Sequence, residues 1–415
     1  MNPILATRLA WSVFRSPSVS RKTLDQMQNR KLRRIVDHAY RHVPYYRQLF
    51  KSAGVDPASI RSVADLKRVP ITTKKDLQLA GTDAVSTFYK REDLVTFRTS
   101  GSSGEPITLY FDRRFEWLRS LVFMRALMAT GYRPGNRMLL MKPDATKRRQ
   151  KMPGWVAIRY NDSPASIMDR LEKLRPAVLY GWVTPLLALS EYLRSSGRRM
   201  NGIRAVVTTA ESLDSSARHD LERGFSAPVF DIYGLTEMGS VAWECQGHDG
   251  YHVSEDLVFV EYEPYSSTTN EYSTVMTNLE LTAMPMIRYQ TEDVVRAHEP
   301  GVCSCGRNFF RIGKVSGRAV DCLHLPGGNV VSPYTITLAL ESVAGLRRYQ
   351  LIQESPVRCR MRCEVAPDSV SLIEYEVRRA LASVLGDVQI DVQIEDHVRT
   401  PGDRKFRVVE SRVNP

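Results

Sequence analysis

The chain is 415 residues long, with 43% hydrophobic and 25% charged residues. That is an ordinary globular balance, which excludes general disorder and suggests about two or three domains. The net charge of +12 is uneven: residues 1–50 hold ten Lys or Arg against two Asp or Glu, which places +8 of it there. Six cysteines are too few for a disulfide scaffold. No apolar run reaches the ~18 residues of a membrane span. The opening MNPILATRLAWSVFRSP is interrupted by Arg8 and Arg15 and lacks a small-residue cleavage site, so no secretory signal is expected.

The first 50 residues read as helix ending near His42-Val43-Pro44, with Leu32, Ile35, Val36 and Ala39 on one stripe. Their basic charge reads as a solvated helical face, or as a contact with an anionic surface such as a membrane. Thr72 or Thr73 is placed to cap the next helix. Strand and helix then alternate. Strands are predicted over 139–141, 177–180, 205–209 and 229–233. Helices are predicted over 164–174, with Ser163 as cap and Pro164 in the first position, over 184–194, and from a Ser212 cap to about 224. Such alternation implies parallel pairing through crossovers. Ligands of such sheets bind beyond the carboxyl ends of the strands, which singles out the loops after Tyr180, Thr209 and Tyr233. From about Gly247 the pattern becomes β, with strands over 272–277 and around Val294. Past a boundary near Gly317 comes a small α+β unit. Its helices are predicted over 336–343 and 371–385, and its strands over 349–353, 359–365 and 388–394.

Five segments carry chemistry. In Thr99-Ser100-Gly101-Ser102-Ser103-Gly104-Glu105-Pro106, glycines let backbone N–H groups converge on an anion and the hydroxyls add donors. No Gly-Lys-Ser/Thr follows, so it is not a Walker-type loop. In Asp231-Ile232-Tyr233-Gly234-Leu235-Thr236-Glu237, Tyr233 offers a flat face to a base, Thr236 a hydroxyl to phosphate, and Glu237 a hard oxygen to Mg²⁺. In Arg288-Tyr289-Gln290-Thr291-Glu292-Asp293, a carboxylate could accept two ribose hydroxyls. Gly317-Arg318-Ala319-Val320-Asp321 sits at the expected boundary. Arg399-Thr400-Pro401-Gly402-Asp403-Arg404-Lys405-Phe406-Arg407 is a basic turn.

In this order and spacing, the five segments resemble those of the adenylate-forming ligases. The likeness is greatest to the phenylacetate–CoA ligase branch and its relatives in capsule biosynthesis, and it runs from His42-Val43-Pro44-Tyr45-Tyr46 to Lys405. The resemblance implies an α/β fold with a large N-terminal adenylation domain, residues 1–316. That domain would hold mostly parallel sheets flanked by helices plus a β-rich subdomain. A small, mobile α+β C-terminal domain, residues 317–415, would carry the catalytic lysine. It also implies roles for individual residues. Thr99, Ser100, Gly101, Ser102, Ser103 and Gly104 would grip the phosphates of ATP. Ala210 and Glu211 would border the adenine, and Tyr233, followed by Gly234, would stack on it. Thr236 would meet phosphate, Glu237 would hold Mg²⁺, and Asp293, assisted by Arg318, would bind the ribose. Lys405 would bridge the substrate carboxylate and the α-phosphate. Glu105 stands where the family usually has lysine, and Glu292 where a glycine often precedes the aspartate. Pro326-Gly327-Gly328-Asn329 keeps the family's glycine-rich loop.

Cys245, Cys303 and Cys305 with one histidine would form a closed, structural Zn²⁺ site. Both His248 and His252 are open by spacing, and the resemblance favours His252. The resulting expectation is a cytoplasmic ligase that activates a small carboxylic acid, aryl or acyl, with ATP and Mg²⁺ and passes it to coenzyme A. An amine, hydroxyl or carrier-protein acceptor, and a non-catalytic role in polysaccharide biosynthesis, are the alternatives. The acid pocket is expected near Phe123 and Tyr180-Gly181-Trp182. Nucleic acid is not expected as a partner. Peripheral membrane contact through the basic segment and a homodimer stay open.

Overall fold

A computed structural model describes residues 3–98, 107–142, 154–159, 162–265, 270–299, 301–318, 321–326, 330–340, 342–398 and 406–413. The 99–104 loop, Gly327, Gly328, Asn329 and Lys405 lie outside these, as does the side chain of Arg318.

The basic N-terminal segment folds as α1 (Pro3–Arg15), α2 (Arg21–His42) and α3 (Pro44–Ser52). Ser20 caps α2 by accepting from the Thr23 amide, and the stripe Leu24, Leu32, Ile35, Val36, Ala39 is buried. Thr73, not Thr72, caps α4 (Lys74–Ala80) in a reciprocal box with Asp76. Part of the cationic face turns inward instead of meeting solvent. Lys31, Arg34 and Arg114 converge on the buried carboxylate of Glu280 at 2.7, 3.5 and 2.6 Å. Arg125, on α5 (Arg113–Ala129), holds the buried Asp256 at 2.6 and 2.9 Å, and Ser16 donates to the same carboxylate at 2.6 Å. Leaving either carboxylate without its cations would cost roughly 3–5 kcal/mol, so the basic helices are bolted to the β region by charge.

A small antiparallel hairpin, β1 (Val95–Arg98) and β2 (Thr108–Phe111), brackets the serine–glycine segment in sequence. The central structure is one 11-stranded sheet. Its first half is β3 (Met138–Lys142), β4 (Trp155–Arg159), β5 (Val178–Gly181), β6 (Ala205–Thr209) and β7 (Val229–Leu235), all parallel. These are connected through α6 (Pro164–Leu174), α7 (Val183–Ser196) and α8 (Ser215–Phe225), whose apolar faces share a core with Leu139, Leu179 and Val206. The cap of α8 is Asp214, which accepts from the Ala217 amide at 2.7 Å, not Ser212. A carboxylate at a helix N-terminus also meets the positive end of the dipole.

At β8 (Gly239–Glu244) the sheet changes direction and continues antiparallel. It runs through β9 (Tyr251–Val253), β13 (Arg311–Arg318), β12 (Tyr289–Ala297), β11 (Glu271–Asn278) and β10 (Val258–Pro264). The β-rich part is therefore continuous with the parallel sheet. Strand β13 runs through the expected boundary. Gly317 has φ +122°, and a Cβ there would lie 3.0 Å from Pro333, so only glycine fits where the two parts meet.

The C-terminal part holds the ribbon β14 (Leu323–His324) and β15 (Val330–Val331), then α9 (Pro333–Leu340), β16 (Leu346–Ser355), β17 (Arg358–Val365), α10 (Ile373–Leu385), β18 (Gln389–Ile394) and β19 (Val409–Ser411). Its four-stranded sheet has the order β18-β17-β16-β19. It carries its own core of Ile336, Leu351, Met361, Val377 and Leu381.

Candidate active site

The site begins at the β7–β8 hairpin. Thr236 and Glu237 lie half-buried in the turn between the two strands. A Cβ on Gly234 would come within 2.9 Å of the Gly239 carbonyl, so the hairpin closes only with glycine there. Three residues before Thr236, the hydroxyl of Tyr233 donates to Asp293 at 2.5 Å. Asp293 stands opposite Arg318 in the β12–β13 register. Tyr233, Gly234, Asp293, Ala210 and Glu211 all line one cleft of about 1460 Å³, whose far wall is built from the C-terminal part, including Arg348 and Phe406. Thr236 and Glu237 border this cleft only through their neighbours Gly234 and Leu235.

Two residues at the cleft hold backbone that side chains rarely adopt. Ala210 has φ +68° and Glu292 has φ +63°. The sharp turn at Ala210 follows β6 directly, and the one at Glu292 precedes Asp293. A left-handed residue before the aspartate is the physical reason for a glycine to be favoured there. Strain of this kind concentrates where geometry serves a ligand.

Glu211 is held on both oxygens. It accepts from the Thr184 amide at 2.7 Å and from the Phe406 amide at 3.3 Å. Desolvation raises its pKa against these hydrogen bonds and the charge of Arg348. Deeper in, Asp231 on β7 accepts from the hydroxyls of Thr208 at 2.7 Å and Tyr251 at 3.1 Å. Its own amide donates to Glu244, which Arg218 pairs at 2.7 Å. Burial first, then the charge of Glu244, pushes Asp231 up to about 7.

Away from the cleft, Cys245, His252, Cys303 and Cys305 bring their donor atoms within 4.8 Å of one another. His252 faces Trp243 in the β8–β9 register and its Nδ1 lies 3.4 Å from the Phe309 carbonyl. Burial lowers its pKa to about 4, the neutral form that ligates metal. Burial pushes the Cys245 thiol up to about 12, a state that a bound cation would reverse. His248 is outside the group, its ring stacked on Phe230 at 4.6 Å.

The expected acid-pocket residues Phe123 and Tyr180 meet edge to face at 5.1 Å, joined by Trp155 at 6.1 Å from Phe123. Trp155 and strand β4 escape the sequence reading, although the run WVAIR alternates as a strand does. The pair Thr184 and Arg348 also escapes it. Asp231 had a signal: a lone carboxylate inside the apolar run VFDIY.

No protein-family profile matches the chain. It is 27% identical over 401 residues to a phenylacetate-coenzyme A ligase of Thermus thermophilus, covering 92% of this chain and 88% of that one. It is 29% identical over 330 residues to the enzyme of the same name from Escherichia coli, covering 74% of each. The chain is therefore similar, over most of its length, to enzymes named phenylacetate-coenzyme A ligase. Among solved structures, 2-hydroxyisobutyryl-CoA ligase in its postadenylation state shares the fold with a TM-score of 0.82 at 21% identity, covering 96% of this chain and 92% of that one. The same ligase in its thioesterification state, at equal identity and coverage, gives 0.67.

The buried Asp231 gives a pH prediction. An unfolded aspartate titrates near ~3.9, so a folded value of about 7 means the native state binds this proton more tightly. The stabilising contribution is fully present below the unfolded value and is lost as pH rises through the folded one. Asp231→Asn is expected to flatten the fall in stability between pH 4 and 7, read from urea midpoints across that range. Parallel slopes in variant and wild type would contradict the assignment.

Proposed function

We propose that the chain activates a small aryl or acyl carboxylic acid with ATP and Mg²⁺, forming an acyl-adenylate, and then transfers the acyl group to coenzyme A. The observation that carries this reading is the Tyr233–Asp293 pair at the strand switch, inside a cleft walled by the segment that follows Lys405. The likeness to relatives named phenylacetate-coenzyme A ligase supports it. Residues 1–316 would form the adenylation domain and residues 317–415 the mobile domain.

In the first half-reaction a carboxylate oxygen attacks the α-phosphorus, the bond to the bridging oxygen breaks, and pyrophosphate leaves. Two anions must meet. Lys405 would offset their repulsion, since opposite charges about 4 Å apart gain ~4 kcal/mol at an effective dielectric near 20. That gain depends on excluding water from the cleft. Thr99, Ser100, Gly101, Ser102, Ser103 and Gly104 would hold the phosphates with Thr236. Tyr233 and Gly234, with Ala210 and Glu211, would take the adenine, and Asp293 with Arg318 the ribose hydroxyls. The carboxylate of Glu237 suits an oxygen-ligated divalent ion, and Mg²⁺ there would neutralise phosphate charge. In the second half-reaction the thiol sulfur attacks the acyl carbon, the thiol proton is released, and AMP leaves with the electron pair of the broken acyl–oxygen bond. The aromatic group Phe123, Trp155 and Tyr180 is proposed to receive the acid's organic part.

The site residues Cys245, His252, Cys303 and Cys305 would hold a structural Zn²⁺, the contact of His252 with Phe309 orienting its ring. Free cysteines fit a cytoplasmic setting. Among the described residues no helix is long and apolar enough to cross a membrane. On α1, Trp11 and Leu5 are exposed beside Arg8 and Arg15, which suits peripheral contact with an anionic membrane. Homodimerisation is the other partner reading.

Pyrophosphate release from ATP and Mg²⁺, measured over aryl and acyl acids with and without coenzyme A, tests the function. Acid-dependent release is expected, with Lys405→Ala losing roughly 10²–10³-fold. Release that ignores thiol would move the acceptor to an amine or hydroxyl. Silence from folded protein across the panel would refute the reading.

The metal reading predicts about one zinc per chain by elemental analysis, lost in Cys303→Ser together with a drop in thermal midpoint on chelation. Protein that stays metal-free after purification and zinc addition, with an unchanged midpoint, would exclude it.

A further inference from the structure

The cleft is bridged at one place by a small polar–aromatic cluster that the adenylation chemistry does not itself require. Arg348 lies near the start of β16, in the C-terminal part. Its guanidinium donates to the Thr184 hydroxyl at 3.0 Å and stacks over the Phe406 ring at 4.4 Å. Thr184 belongs to the first turn of α7, in the N-terminal part. The amides of Thr184 and Phe406 donate to the two oxygens of one carboxylate, Glu211. Arg348 and Glu211 thus grip the same two residues from opposite sides, one through side chains and the other through backbone. Phe406 is the residue directly after Lys405. Its successor Arg407 pairs with Asp321 at 3.3 Å, and the Arg407 carbonyl accepts from Gln350 of β16 at 3.1 Å. The chain after Lys405 is therefore fixed on the C-terminal side by Gln350 and Asp321, and on the N-terminal side by Glu211.

We infer that Arg348 is a positioning residue: with Phe406 and Glu211 it latches the C-terminal part against α7 and the loop after β6 for acid activation, and it must let go before thioester formation. The Thr184–Arg348 and Glu211–Phe406 contacts join the two parts across the cleft, so any rotation of the C-terminal part breaks both together. A guanidinium is suited to such a joint because its planar face stacks while its edge donates. A ligand can shift the balance between the two arrangements only by binding them differently. Glu211 supplies that difference if the incoming nucleotide meets the loop after β6, since the latch is built on the same loop.

Two measurements on Arg348→Ala, with Phe406→Ala as the second variant, test the latch. Phe406→Ala removes the ring but keeps the amide. The first measurement is hydrogen–deuterium exchange of the Thr184 and Phe406 amides in the full chain without substrates. The latch predicts exchange about tenfold faster at both positions in either variant, with the C-terminal core strands unchanged. The second compares the half-reactions and rests on the proposed adenylation. Acid-dependent pyrophosphate release should fall about tenfold in kcat, while thioester formation from supplied acyl-adenylate is retained or faster. Unchanged exchange at both amides would overturn the latch. So would an equal loss in both half-reactions, or a rise in KM for ATP alone, which would make Arg348 a nucleotide contact. If the wild type adenylated no acid, the proposed function would fall, and the exchange measurement would still decide the latch.

Discussion

The architecture depends on a change of strand direction inside one continuous sheet. A parallel strand has to leave the sheet through a long crossover, whereas an antiparallel neighbour can follow through a tight turn. Strands β3 to β7 obey the first rule and β8 onward the second. The β7–β8 hairpin is where one regime gives way to the other. The turn therefore lies at the carboxyl end of the parallel half, where helices no longer cover the strand ends and a ligand can approach. Tyr233, Gly234, Thr236 and Glu237 occupy that short stretch. Asp293 reaches it because β12 belongs to the antiparallel half of the same sheet. A chain of separate sheets would have no reason to bring residues 233 and 293 within hydrogen-bonding distance.

Charge is used in two ways around this frame. Glu280 and Asp256 are buried with cations from the N-terminal helices, and the net effect holds both carboxyls below their ordinary values, against the upward pull of burial. They are fixed ions that fasten α1, α2 and α5 to the β region. Asp231 and Glu211 lie nearer the cleft and are raised, with burial as the leading cause. Hydroxyl and amide donors satisfy them, and the charges of Arg218 and Arg348 pull downward without overcoming burial. The first pair serves stability at neutral pH. The second pair leaves the cleft wall with less fixed negative charge than its residue types suggest, which favours an anionic guest such as a nucleotide.

Local features of the fold were legible wherever a short signal decides the structure. The Ser163-Pro164 cap places α6 at Pro164–Leu174, and the β-branched run places β6 at Ala205–Thr209, both to the residue. The cysteine cluster was legible because a Cys-x-Cys turn and a distant Cys share one chemistry. Spacing alone leaves His252 and His248 equal, and the β8–β9 register, which faces His252 toward Trp243, separates them in the fold. The cap at Asp214 was lost because Ser212 offers the same chemistry two residues earlier. Contacts between distant segments left no trace in the sequence. Glu211 meets Phe406 across 195 positions and Thr184 meets Arg348 across 164, and nothing in local periodicity encodes either. The individual site motifs were readable as chemistry, but that Ala210, Glu211, Tyr233, Gly234 and Asp293 line one cleft is a property of the sheet.

The central claim is that the cleft joins a carboxylate to the α-phosphorus of ATP. The most direct measurement follows the oxygen. With an acid labelled by ¹⁸O in its carboxylate, turnover in the presence of coenzyme A should leave one labelled oxygen in AMP, detected by mass spectrometry. Unlabelled AMP, or label appearing instead in phosphate beside ADP, would contradict adenylation at this site.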